Sequence, residues 1–221
     1  MKRIVNLSCL ITLVLIIVMA GCTPTQSDIN VNVIELPIPE LKWGMTRDEI
    51  VETLGELGIP ETELLVPHER KLALSKEQTE QLCGDTIAGC PLYDSGVAAI
   101  TLEFQQDLNG VHYLSAAYVR LKSEDVKPVE DWFTEKYGES VGPGLFDGKI
   151  WSSVPLGTTL SEKECEKLGS QDIFVLERST PPYDAQKFYP FVNVIFEPEA
   201  TLVRLEYTAV GYVHRTVGGF E

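Results

Sequence analysis

Two pairs of segments alternate apolar and polar side chains around a short turn, and they restrict this chain more than any other feature. In the first pair, Ile100, Leu102 and Phe104 fall on one side of 97–105, while Thr101, Glu103 and Gln105 fall on the other. A period of two belongs to a strand with one buried face. Asp107-Leu108-Asn109-Gly110 follows, with Asn and Gly suited to the positive φ of a tight hairpin. Residues 111–121 then return as the partner strand. In the second pair, 191–197 puts Val192, Val194 and Phe196 inward, opposite Val203, Leu205 and Tyr207 on 201–210, and Glu197-Pro198-Glu199-Ala200 makes the turn.

Helices precede the hairpins. Thr46-Arg47-Asp48-Glu49 is a capping box, in which Thr46 and Glu49 satisfy each other's orphan backbone donors. Met45 and Ile50 have the spacing of a hydrophobic staple, Leu54 and Leu57 extend the apolar stripe, and Gly58-Ile59-Pro60 stops it. A second helix is expected over 125–137, with Val129, Trp132, Phe133 and Tyr137 on one side and Gly138 at its end. Trp132 is expected in the core. Ser161-Glu162-Lys163-Glu164 opens a short third helix that Gly169 closes. Further strands are expected at 63–66, 71–74, 149–154 and 173–177. The expectation is an α+β fold, with helices packed on one face of antiparallel sheet and the other face open to contact. Because the helix-then-hairpin order recurs, 43–122 and 123–221 read either as two tandem units or as one continuous domain.

The N-terminus has its own logic. Lys2 and Arg3 precede an apolar or small-residue run from Leu7 to Ala20, and Met19-Ala20-Gly21-Cys22 follows. A charged start, a short apolar run and a small-residue cleavage site make a secretory signal. Met19-Ala20-Gly21-Cys22 resembles the bacterial lipobox. That resemblance implies cleavage before Cys22, diacylglycerol and an N-acyl chain (palmitate-type lipid) on Cys22, and a protein anchored outside the cytoplasm on a bacterial membrane. Residues 1–21 are then the signal peptide and 22–42 an extended tether, kept open by Pro37 and Pro39. Removing the signal takes away two of 18 basic residues and none of 33 acids, so the net charge moves from −15 to −17. Such a chain is repelled by nucleic acid.

Cys9 leaves with the signal, and Cys83, Cys90 and Cys165 remain beside Cys22. Cys83 and Cys90 flank a short loop with glycine at each end, and outside the cytoplasm disulfides persist, so the two are expected to pair. Cys165 reads as a buried thiol. Metal binding would require more Cys or His at ligand spacing, and His68, His112 and His214 are far apart in sequence. Neither a nucleophile motif nor a phosphate loop is present, so neither metal nor cofactor is expected, and no catalytic residue is assigned. The aromatic candidates for partner contact are Tyr113 and Tyr118 on the returning strand of the first hairpin and Tyr183 in a proline-rich loop.

The segment from Trp43 through Gly44-Met45-Thr46 to Leu54-Gly55 resembles the opening of two families. One comprises the small outer-membrane assembly lipoproteins of the SmpA/OmlA type, the other the β-lactamase inhibitory protein. The resemblance covers about thirteen residues and implies a helix-on-sheet binding module without catalysis. The expected partner is another envelope protein. Inhibition of a secreted or envelope hydrolase is the alternative, followed by an enzyme whose site the sequence does not reveal.

Overall fold

The computed structural model describes residues 33–94, 96, 98–155, 157–167, 182–211 and 213, without the side chains of residues 145, 165–167 and 187. Among the described residues, four α-helices are present: α1 (Arg47–Glu56), α2 (Lys76–Cys83), α3 (Lys127–Tyr137) and α4 (Glu162–Lys167). The strands are β1 (Lys71–Leu74), β2 (Thr86–Ile87), β3 (Cys90–Pro91), β4 (Ile100–Gln106), β5 (His112–Lys122), β6 (Gly142–Pro143), β7 (Lys149–Ser152), β8 (Thr159–Leu160), β9 (Tyr183–Asp184), β10 (Phe191–Glu197) and β11 (Leu202–Thr208). The fold is mixed α+β and mostly sheet.

Seven strands form one antiparallel sheet in the order β1-β4-β5-β11-β10-β7-β6, and β2–β3 and β8–β9 are separate ribbons. The two expected hairpins are β4–β5 and β10–β11. They are not two units, because β5 and β11 pair along their length, Val119 opposite Leu205 and Ala117 opposite Tyr207. A single buried row therefore crosses six strands: Leu72, Leu102, Ala117, Tyr207, Val192 and Trp151. Ala117 is the small member, and it leaves room for the Tyr207 ring beside it. The core is accordingly continuous across residue 122, running from Ile34 to Tyr207 among the described residues, as in the one-domain alternative.

Over this row lie α1, which contributes Ile50 and Leu54, and α3, which contributes Val129 and Phe133. Phe133 stacks on Tyr137 at 6.0 Å and leans on Trp151 at 5.4 Å, an aromatic cluster that fixes α3 against β7. Both halves of the Thr46–Glu49 capping box form. Ser161 and Glu164 cap each other ahead of α4 as expected. No strand forms at 63–66: a 3-10 turn, Glu61–Glu63, follows Pro60, and 64–66 is irregular. The expected strand at 173–177 and Gly169 lie outside the described residues.

The expected tether does not extend to residue 42. Ile34 and Ile38 are 0 % exposed, and Leu36 and Leu41 are buried in the same core. The prolines that suggested an open tether build a turn instead: the Leu41 N–H donates to the Ile38 carbonyl (3.1 Å), with Pro39 between them. Residues 33–43 thus form a strap. Its backbone is tied down where the Ile34 N–H donates to Ser153 Oγ (2.9 Å) and Trp43 Nε1–H donates to the Ile34 carbonyl (2.8 Å).

The far face of the sheet is not uniformly open, which corrects the expected one-sided packing. Ile195 alternates with Val194 and so points away from the main core, yet it is buried. Leu160, Tyr183 and Phe188 are buried outside the main cluster, and no described side chain of α4 belongs to that cluster. The sheet edges are blunt. At β1 the backbone is engaged by 65–68, with the Leu65 N–H on the Ala73 carbonyl and Lys71 bridged to His68, while β6 is two residues long.

Candidate functional site

Two of the three expected contact tyrosines, Tyr113 and Tyr118, lie on β5. Tyr113 and Tyr118 are five positions apart, so on a regular strand they would point to opposite faces. The β4–β5 register shifts between Glu103 and Phe104, leaving one extra residue on β5. Leu114 stays opposite Phe104 and Ala117 opposite Leu102, all buried in the core. The bulge therefore brings Tyr113, opposite Gln105, and Tyr118, opposite Thr101, to the same face.

Tyr118 is half-buried and sits between two carboxylates. Glu206 of β11 is its direct cross-strand neighbour, and Glu103 of β4 is diagonal to it. Burial, followed by the charges of Glu103 and Glu206, pushes its hydroxyl up to about 12, so it remains a neutral donor throughout the ordinary pH range. Burial and the charges of Asp107 and Glu49 likewise raise Tyr113. Beside Tyr118 is a groove of about 520 Å³ lined by Arg70, Glu103, Gln106, Ser115 and Thr208 among others. Lys71 Nζ stands 3.3 Å from Glu103 Oε1, and Arg70 Nη2–H donates to Gln106 Oε1 at 3.2 Å. Such a surface offers neutral and charged donors and acceptors around an aromatic ring. That chemistry suits recognition of another polar surface.

Tyr183 does not join it. It is 6 % exposed, pairs with Leu160 across the β8–β9 ribbon, and is corrected from loop contact to buried side chain. Cys22 lies outside the described residues, as do His214 and the side chain of Cys165. Cys83 and Cys90 stand as free thiols, Cys83 half-buried at the end of α2 and Cys90 buried on β3. The Cys83 thiol donates to the Thr79 carbonyl (3.0 Å), and burial pushes it up to about 11. A thiol so held is a poor nucleophile. Among the described residues, no group of His, Cys, Asp and Glu could hold a metal, and no helix is long and apolar enough to cross a membrane.

A second cavity of about 700 Å³ opens between the strap, the 83–89 loop and α3, with Trp43, Trp132, Ile87 and Tyr207 among its walls. Trp132, expected in the core, is only partly buried and forms part of this wall. Lys136 lies 5.1 Å from the Trp132 ring centroid and 2.9 Å from Glu35. Burial pulls its ammonium down, but hydrogen bonds with Glu35 and Tyr137 leave it above its usual value. Neither cavity was visible in the sequence, because each is assembled from segments far apart in the chain. Compared with known family models, curated proteins and solved structures, the chain matches none.

Proposed function

We propose that this chain is a lipid-anchored, extracytoplasmic binding module that contacts another envelope protein without catalysing a reaction. The observation that carries the reading is the placement of Tyr113 and Tyr118 on one sheet face by the β5 bulge. The charged and hydrogen-bonding groove beside Tyr118 adds to it. Bulges re-aim side chains where function needs them, and tyrosines with hydrogen-bonding neighbours are enriched among energetically dominant contact residues. The blocked sheet edges favour contact through this face over strand addition at β1 or β6. The anchoring half of the reading rests on Met19-Ala20-Gly21-Cys22 after a short apolar run, with lipid on Cys22 giving stable membrane attachment.

The test is site-specific photo-crosslinking in intact cells. A benzophenone side chain would replace Tyr118 in one strain and the exposed Leu108 at the hairpin tip in another. One envelope protein captured from position 118 and not from 108 supports the contact reading, and equal background from both refutes it. Mass spectrometry of the mature N-terminus tests the anchor independently: an acylated Cys22 supports it, and an uncleaved or unmodified N-terminus removes it.

A further inference from the structure

The lining of the cavity beneath the strap runs against the acidic balance of the chain. The chain carries 33 acidic and 18 basic residues. Yet this cavity is lined by two cations, Lys42 and Lys136, and by a single acid, Glu35. Glu35 already pairs with Lys136. Lys42 is exposed, and its ammonium has no ion pair or hydrogen bond among the described residues. A solvent-exposed lysine in so acidic a protein has many carboxylates it could meet, and this one, on the wall of a largely apolar cleft, pairs with none among the described residues.

The walls suit an alkyl chain. Leu36, Pro37, Ile87 and Ala88 are apolar, and the rings of Trp43 and Trp132 flank them. The Trp43 indole N–H is already bonded to the Ile34 carbonyl, so it presents its ring and makes no polar demand on an occupant. A volume of about 700 Å³ falls within the range of small-molecule sites, about 300–1,000 Å³. Sites of that size are mostly apolar, with a few charged groups that fix the ligand's orientation.

We infer that this cavity binds a single-chain amphiphile with an anionic head, namely a long-chain carboxylate. The alkyl chain lies between the strap and the 83–89 loop, and the carboxylate pairs with Lys42. Charge complementarity selects the acid over a neutral chain of equal length. The site is separate from the Tyr118 face and does not depend on the anchoring of Cys22.

The test is isothermal titration calorimetry with dodecanoate and dodecan-1-ol, both kept below their aggregation limits. The protein begins at residue 22 and carries Cys22→Ala, since Val31–Glu221 forms a compact unit with its own core. Wild type is expected to bind dodecanoate about tenfold more tightly than the alcohol, in line with one charge-assisted contact. Lys42→Gln should lower dodecanoate affinity to that of the alcohol and leave the alcohol unchanged. Thr86→Trp, at an exposed β2 position on the cavity wall, should abolish binding of both while retaining the urea midpoint of wild type. A loss of folding in that variant is checked by Val33→Trp, at an exposed strap position on the same cavity wall. Absence of dodecanoate binding, equal affinity for acid and alcohol, or unchanged binding in a folded filled variant would each overturn the inference.

Discussion

Ile38→Ala separates a strap from a tether. Ile38 is fully buried between Pro37 and Pro39, in the cluster that includes Ile50, Leu54 and Phe133. The substitution deletes three carbons. At about 0.8 kcal/mol per buried CH₂, transfer alone costs about 2.4 kcal/mol. A cavity that the neighbours cannot fully close raises this to about 3–4 kcal/mol. For a domain of this size each kcal/mol lowers Tm by about 2–4 °C, so the midpoint should fall by about 6–16 °C. The assays are thermal unfolding for the midpoint and urea unfolding for the free energy and m-value, both followed by tryptophan fluorescence, with Val33→Ala as the control at an exposed strap position. The m-value should not change, because the fold still unfolds as one body. Were 33–41 only a tether, Ile38→Ala would act like a surface change, within about 0.5 kcal/mol. That result, with an unchanged m-value, would refute the packing argument.

Three further outcomes are expected. Thr201 holds φ +47 after the 198–200 turn, a left-handed conformation costly for a β-branched residue; Thr201→Gly should stabilise the protein by about 1 kcal/mol, and calorimetry showing a lower Tm would contradict this. In reduced protein, raising the Cys83 thiol from 9.0 to about 11 cuts its thiolate fraction about 100-fold at pH 8; iodoacetamide should therefore alkylate it about 100-fold more slowly than an ordinary exposed thiol, and comparable rates would remove the burial argument. Tyr118 is raised from 10.0 to about 12, so between those values the folded state binds more protons than the unfolded one. Its contribution is complete below pH 10 and lost as pH rises towards 12. Tyr118→Phe should flatten that alkaline loss in urea midpoints measured from pH 9 to 12, and identical slopes in both proteins would count against the assigned environment.

Local signals were legible and long-range ones were not. The β4–β5 and β10–β11 hairpins follow from period-two alternation, and α1, α3 and α4 from caps and apolar spacing. One helix had a readable signal that was passed over: Ser75-Lys76-Glu77-Gln78 is a capping box, and it forms ahead of α2. The β5–β11 pairing joins segments about eighty residues apart, and no local pattern announces it; that pairing turned two expected units into one sheet. The bulge was also hidden. Leu114 and Ala117 break strict alternation, and only the pairing of Glu103 with Ala116 accounts for their shared face. Pro37 and Pro39 favour extended backbone locally, and the burial of Ile34 and Ile38 depends on α1 and the sheet. Tyr183 looked accessible among prolines because the β8–β9 ribbon that buries it has no periodicity of its own.

The strap has a mechanical consequence. For a pull from the N-terminal side, the first hydrogen bond among the described residues is that of the Ile34 N–H on Ser153 Oγ. Ser153 in turn donates to the Pro190 carbonyl, so the load passes into the loop before β10 and reaches the middle of the sheet. A pull would have to extract Ile34, Leu36, Ile38 and Leu41 from the core in turn before it reached α1. Under the proposed anchoring, this order of contacts would let the strap act as a strain relief, loaded before the tyrosine-bearing face.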